Sequence, residues 1–451
     1  MAGSYNTHSE QTRSEMLGEI GVESIDHLFD DVPGEVRLDR TLDLPQAISE
    51  WELESILKSH SRCNQNVDDF SCLIGGGKYN HQVPAVVDAI VSRGEFLTSY
   101  TPYQPEMSQG ILQALFEYQQ LMSKVTGLPV VNSSSYDGAT ALVDAAWMAC
   151  SIQGRKRILV SSAIWDEHRE VLDTYLEPRG VKISMVGICN RTGGVDRNEL
   201  EERLGKEEFA GFLFQSPNSL GIVEDVEKIN RIIQKSDCLS VLSFTPLLSG
   251  LLKTPGEMGV DIVVGEGQPL GIHLNAGGSS LGILSTKDCY RRFVPGRIVG
   301  KVTDIKGNLA YSLVFEDREQ QVARDKATSN ICSNQAMNAI RACIFLGCYG
   351  EAGFAGLARL NYAKAHYLRD RLGTLKGLSF PFSGPFFNEF VVGLPKSAGD
   401  VLAYLTQQSI FGGLDCSQKF GLDHAILISV TENLSKSELD HFVTQLGEAI
   451  R

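Results

Sequence analysis

Thirteen consecutive residues, Leu97 to Gln109, carry four aliphatic hydroxyls, two phenols, two amides and a carboxylate. Phenols and hydroxyls can hold a carboxylate or pass a proton, and amides fix the orientation of a small polar ligand. Ser99, Tyr100, Tyr103 and Gln104 are therefore the first candidates for lining a site, with Thr98, Glu106 and Gln109 behind them. Pro102 and Pro105 fix their own φ and disfavour helix just before themselves, so the stretch reads as a stiff irregular loop. The structural alternative is a well-hydrogen-bonded turn with no ligand, since loops of this kind also serve as plain connections.

The elements that must position this loop follow at once. Ile111, Leu112, Leu115, Phe116 and Met122 recur at helical spacing, which predicts an amphipathic helix over 107–126, stopped by Gly127 and Pro129. Asn132 to Thr140 leads into a second, alanine-rich helix ending at Gly154. Short apolar runs at 158–160, 181–186, 212–214, 239–242 and 261–264 alternate with helical patterns at 170–176, 196–204 and 226–233. That alternation predicts an α/β fold with a mostly parallel sheet covered on both faces. Asp196 with Glu199, and Ser435 with Glu438, have capping-box spacing.

At either end the texture differs. Residues 1–60 are polar and acidic; Leu17, Ile20, Ile25, Leu28 and Phe29 can share one helix face, and Trp51, Ile56 and Leu57 mark a second short helix, so this reads as an arm that packs on something else. Residues 61–310 read as the large α/β domain. Residues 311–451, with helices near 335–346 and 354–372 and strands near 388–394 and 425–430, read as a smaller α+β domain. Gly75-Gly76-Gly77 lacks phosphate-loop spacing and reads as a structural turn.

Composition narrows the classes. A net charge of −14 over 451 residues argues against nucleic acid or an anionic membrane surface as main partner. No run approaches the roughly 18 continuous apolar residues of a membrane span, and the N-terminus carries no secretory pattern. The ten cysteines are scattered without Cys-x-x-Cys, which reads as free thiols in a reducing cytoplasm, and the nine histidines form no His-x-x-x-His pair, so no metal site is expected.

On an open α/β sheet, a polar ligand belongs beyond the carboxyl ends of the strands, at helix N-termini. Ser133–Thr140 is the best such place, and it resembles the phosphate cup of pyridoxal-phosphate enzymes of the aminotransferase-like fold (fold type I). Ser135, Asp137, Gly138, Ala139 and Thr140 would form the cup, with Trp165 and His168 near a ring-stacking position. Three defects stand against such an enzyme. The strand 239–242 runs into Ser243-Phe-Thr-Pro246 with no acid for the pyridine nitrogen. The stretch Gly265-Glu-Gly-Gln-Pro-Leu-Gly271 has no lysine to carry the cofactor, and Asp137 would repel a phosphate inside the cup. The expectation is a fold without its own cofactor, the cup being vestigial.

Phe96-Leu-Thr-Ser-Tyr-Thr-Pro-Tyr-Gln-Pro-Glu106, Tyr136-Asp-Gly-Ala-Thr140, Asp261-Ile-Val-Val-Gly-Glu-Gly-Gln-Pro-Leu-Gly271 and Lys326-Ala-Thr-Ser-Asn-Ile-Cys-Ser-Asn-Gln335 give the chain its resemblance to a known family. It resembles the N-terminal (alpha) half of the split glycine decarboxylases, the P-proteins of the glycine cleavage system. The resemblance implies that pyridoxal phosphate is bound by a beta subunit of the same fold and that the two halves pair, usually as α2β2. It implies that Thr98–Gln109 reaches the partner's site. Glycine would be decarboxylated there and its aminomethyl group passed to the lipoyl arm of the H-protein. Lys326–Asn334 would lie near the lipoyl entry or act as a hinge loop, and Arg297 or Arg324 could take a substrate carboxylate. Two alternatives stay open: a stand-alone pyridoxal-phosphate decarboxylase or lyase using Lys253 or Lys301, and a non-catalytic scaffold.

Overall fold

The computed structural model describes residues 8–38 and 40–451. They form two compact units, divided between Gln65 and Asn66. In the first unit, helix α1 (Glu10–Ile20) is capped by Ser9 and ends on Gly21 at φ 84°. A separate 3-10 turn, Ile25–Phe29, and helix α2 (Glu50–Ser61) follow. The single apolar face expected through Leu17, Ile20, Ile25, Leu28 and Phe29 is thus cut at Gly21, whose left-handed backbone ends the helix. None of these elements buries a residue, and Ile20, Phe29 and Trp51 are among its exposed apolar side chains.

The second unit opens with strand β1 (Ser71–Cys72), helices α3 (Ala85–Val91) and α4 (Gly94–Leu97), and the 3-10 turn Pro105–Met107 that leads into α5 (Gln109–Thr126). Then come β2 (Val130–Val131), α6 (Gly138–Gln153), β3 (Arg157–Ser161), α7 (Asp166–Leu176), β4 (Lys182–Val186), α8 (Arg197–Lys206), β5 (Gly211–Ser216), α9 (Val226–Ile233), β6 (Leu239–Phe244), β7 (Ile262–Glu266) and β8 (Gly282–Thr286). Seven of these strands make one sheet in the order β2-β8-β7-β6-β5-β3-β4. It is parallel from β7 through β4, while β8 runs antiparallel to both of its neighbours. Successive strand residues face opposite sides, so a sheet covered on both faces needs unbroken apolar strands. Phe212, Phe214 and Leu242 join the core beneath α5, while Leu213 and Val241 join the core built on the alanines of α6.

The chain continues through a hairpin, β9 (Ile298–Thr303) and β10 (Leu309–Val314), which the sequence reading did not identify. A short helix α10 (Gln320–Ala323) precedes α11 (Ala336–Leu372). The two helices expected near 335–346 and 354–372 are joined in α11 across a kink at Gly350, whose φ of 59° and ψ of −176° are not helical. By length and hydropathy α11 could cross a membrane. It instead packs on α3, α5 and α13, and Phe345 and Leu357 lie in the core.

The remaining elements are β11 (Glu389–Gly393), α12 (Ala398–Gln407), β12 (Ile410–Phe411), β13 (Leu414–Asp415), β14 (Ala425–Ser429) and α13 (Lys436–Ala449). β11, β14 and β13 form an antiparallel sheet over a core of their own, and β1 pairs with β12. Of the two expected capping boxes, Ser435 with Glu438 is complete. Asp196 caps α8, but the Glu199 carboxylate accepts the Gly187 N–H at 2.8 Å instead of closing the box.

Candidate functional site

The site residues fall in two places. The first is the loop between α4 and α5. Thr98, Ser99, Tyr100, Tyr103, Gln104 and Glu106 are all exposed, above a buried Pro102. The Thr98 and Ser99 hydroxyls donate to the backbone carbonyls of Gly94 (2.7 Å) and Phe96 (2.6 Å), closing the end of α4. Gln109 is spent on structure. Its amide donates to the carbonyls of Pro105 and Tyr311 and accepts the Tyr311 N–H at 2.9 Å, pinning the loop to β10.

Both phenols are tied to the loop 326–334, Tyr100 directly and Tyr103 through Arg297. Tyr100 Oη lies 3.1 Å from Ser333 Oγ. Arg297 donates from Nη2 to Tyr103 Oη at 3.0 Å and to the Cys332 carbonyl, with its guanidinium 5.2 Å from the Tyr103 ring centroid. Arg297 is 4% exposed, and its Nε and Nη1 have no hydrogen-bond partner among the described residues. It is therefore a buried cation behind the loop, whereas Arg324 is exposed. The same loop is held from below, because Asn334 Nδ2 donates to Ser133 Oγ (3.1 Å) and the Gln335 N–H to Ser134 Oγ (3.0 Å). Three distant segments thus meet: the polar loop, residues 326–335 and the turn before α6.

The second place is the cup at the start of α6. Asp137 caps the helix, accepting the Thr140 N–H at 2.8 Å while Thr140 Oγ1 accepts the Asp137 N–H at 3.1 Å. Glu266, at the end of β7, accepts the Gly138 N–H at 3.2 Å. The same carboxylate accepts the Gln268 N–H and the Ser280 hydroxyl, and Lys78 Nζ stands 4.0 Å away. Burial pushes the Glu266 carboxyl up, against the pull of Ser280, Lys78 and the two N–H groups. Ser135 is fully buried and bridges to Gly282, and behind it burial raises Asp144 to about 7, opposed by Arg179 and the Ser135 hydroxyl.

Asp137 and Glu266 open onto a cleft of about 370 Å³ whose walls include Gly76, Gly77, Lys78, Ala139, Trp165 and His168. Trp165 and His168 both line this cleft, and burial lowers the His168 imidazole despite the pull of Asp137 and Glu167. Gly77 (φ 98°) lies against the Trp165 indole, and a Cβ on Gly75 would stand 2.2 Å from Glu389 Oε1, so close approach demands these glycines.

The residues present do not fit pyridoxal phosphate. A phosphate binds a helix N-terminus through free N–H groups and the positive end of the dipole. Here two carboxylates already occupy it. Gly265–Gly271 offers no lysine, and Ser243–Pro246 offers no acid at the end of β6. Lys253 pairs with Glu227 at the surface, and Lys301 is exposed on the β9–β10 hairpin, its ammonium 5.0 Å from the Phe116 ring centroid. Neither stands among the residues that line the cleft. Glu266 as a helix cap, and Arg297 as a buried anchor, were missing from the sequence reading. The only signals were an acid at the end of a strand and a basic residue following Pro295-Gly296.

The profile of the family "Glycine cleavage system P-protein" matches residues 3–446. A "Probable glycine dehydrogenase (decarboxylating) subunit 1" from Desulfitobacterium hafniense is 43% identical over 445 residues, covering 98% of this chain and 99% of that protein. One of the same name from Chlorobaculum parvum is 44% identical, with 98% of each chain covered. A crystal structure of glycine decarboxylase (P-protein) of the glycine cleavage system, in inhibitor-bound form, superposes with a TM-score of 0.91 at 35% identity, covering 99% of this chain and 100% of that one. An alanine–glyoxylate aminotransferase from Nostoc, 16% identical with a TM-score of 0.60, shares the fold.

Proposed function

The chain belongs to the glycine cleavage system P-protein family, and on that premise we propose that it completes the active site of a partner subunit. It is subunit 1 of glycine dehydrogenase (decarboxylating), an α/β protein of the aminotransferase-like, pyridoxal-phosphate-dependent fold. The chemistry of the complex depends on pyridoxal phosphate, which as an electron sink makes loss of CO2 from glycine feasible. The beta subunit holds that cofactor, and the lipoylated H-protein receives the aminomethyl group. The observation that carries this reading is the filled helix N-terminus. Asp137 and Glu266 take N–H groups that a phosphate would need, which supports a cofactor held by another chain.

What this chain supplies is the edge 98–109. Tyr100 and Tyr103 are exposed phenols, held by Ser333 and Arg297 and backed by a clamped Gln109. Preorganised hydroxyls of this kind can orient a carboxylate or hold a proton. An α2β2 assembly in the cytoplasm accommodates one such edge per cofactor.

The test uses purified subunits. The chain alone, incubated with pyridoxal phosphate, is expected to show no protein-imine absorbance band and no glycine-dependent CO2 exchange. Adding the beta subunit and lipoylated H-protein restores exchange. Y100F/Y103F is expected to assemble normally and to lose at least about tenfold in turnover, at the low end of what a positioned acid or base contributes. Wild-type turnover in that double variant, or a borohydride-trapped lysine in this chain, would overturn the reading.

A further inference from the structure

The β9–β10 hairpin is a rigid projection with an apolar tip. Its base is fixed to α5 by two glutamines, each pairing its amide with hairpin backbone. Gln109 exchanges two hydrogen bonds with Tyr311 (2.8 and 2.9 Å), and Gln119 exchanges two with Val299 (2.9 Å each). Val299 and Leu313 are buried there, and Tyr311 packs on Phe116. Beyond Gly300 the cover stops, and every residue from Lys301 to Leu309 is exposed.

The turn at the end is also ordered. Asp304 Oδ1 accepts the N–H groups of Lys306 (2.8 Å) and Asn308 (2.7 Å), the Asp304 N–H bonds Asn308 O at 2.9 Å, and Gly307 takes the left-handed backbone. Asp, Gly and Asn each serve such a turn by a known mechanism. Ile305 does not. It has no role in the turn, yet it stands at 103% relative exposure, flanked by exposed Val302 and Leu309. A single exposed isoleucine would need no explanation, but a cluster of three exposed apolar side chains, Val302, Ile305 and Leu309, on one hairpin end is the kind of patch that marks a contact with another molecule.

The neighbouring surface has the same character. The turn Pro105–Met107 touches β10, and Leu97, Tyr100 and Met107 are exposed on the loop that Gln109 ties to the hairpin. Met and Tyr are enriched at the centres of protein interfaces.

We propose that the hairpin tip, with Ile305 as its anchor, inserts into an apolar pocket of the second, non-identical subunit and sets the position of the loop 97–109 against that subunit's site. The occupant follows from continuity. The face is one surface with the edge read above as completing the partner's site, on which reading this inference rests. The relatives' designation as subunit 1 also implies a second kind of subunit.

The test compares full-length chain with I305D and with V302S/L309S, each mixed with the purified beta subunit in sedimentation and interferometry. These side chains are exposed, so thermal melts of the isolated chain are expected to stay unchanged. The dissociation constant is expected to rise at least tenfold for I305D. If both variants bind the beta subunit within twofold of the parent, the inference is overturned. It is equally overturned if I305D leaves subunit assembly intact but raises KM for lipoylated H-protein, or only dissociates a homodimer of this chain. Running Y100F/Y103F alongside separates the two readings. Normal assembly of I305D together with lost turnover in Y100F/Y103F removes the hairpin's role and leaves the lent edge standing.

Discussion

Glu266 Oε2 accepts the backbone N–H of Gly138 at 3.2 Å. An acid at the end of β7 therefore reaches across to the first residue of α6 and fills, with Asp137, a helix N-terminus where an anion could otherwise bind. The chain keeps the helix dipole and the glycine but satisfies both from within.

Asp137 is consequently a structural cap. D137A is expected to destabilise the chain by about 1 kcal/mol, the usual cost of losing an N-cap. Urea unfolding of the isolated chain checks this, and an unchanged midpoint would mean that Asp137 is not bonded to Thr140 in solution.

Tyr103 and Arg297 are expected to be energetically coupled. A double-mutant cycle of Y103F and R297K should give an interaction of about 1 kcal/mol, as for a hydrogen bond to a charged group that is partly open to water. Strictly additive effects would show that the loop 97–109 is not anchored through this pair.

Glu389 predicts a pH dependence on the neutral side. It is buried at the Gly75–Tyr79 turn, where it accepts the Gly76 N–H (2.8 Å) and the Tyr79 hydroxyl (3.2 Å), and burial raises it to about 7 against those bonds. A carboxyl raised in the folded state favours folding while protonated, so stability falls as pH rises from about 4.5 through 7. The shift corresponds to about 3 kcal/mol. E389Q keeps both contacts without the charge and should be the more stable form at pH 8 and no more stable at pH 4. Parallel stability profiles for the two proteins would rule this out.

Glu432 predicts the opposite slope on the acid side. Burial would raise it, but His81 Nδ1 at 2.9 Å and the Gln82 N–H at 2.7 Å outweigh burial and hold it near 2. A depressed carboxyl stabilises the fold above its unfolded value, and that stability is lost as pH falls from about 4.5 toward 2. E432Q is expected to flatten acid unfolding over this range. A variant with the wild-type acid limb would show the pair is not formed.

The sequence by itself determined the layered α/β architecture, because strands buried on both faces must be continuously apolar and their covering helices must repeat at 3.6 residues. It also disclosed the missing lysine and the acid inside the cup, since these are matters of residue type at fixed positions along the chain. Only the tertiary structure decided what each polar group is spent on. Gln109 read as a site residue and proves to clamp the backbone of Tyr311, 202 positions away. Glu266 read as a mere absence of lysine and proves to be a helix cap. Arg297 read as a candidate for a substrate carboxylate and proves to be buried behind Tyr103. The β9–β10 hairpin escaped notice because its exposed half alternates no apolar face against a core. Composition and periodicity record what a residue can do, whereas the partner it meets depends on which distant segments the sheet and helices bring within 3 Å.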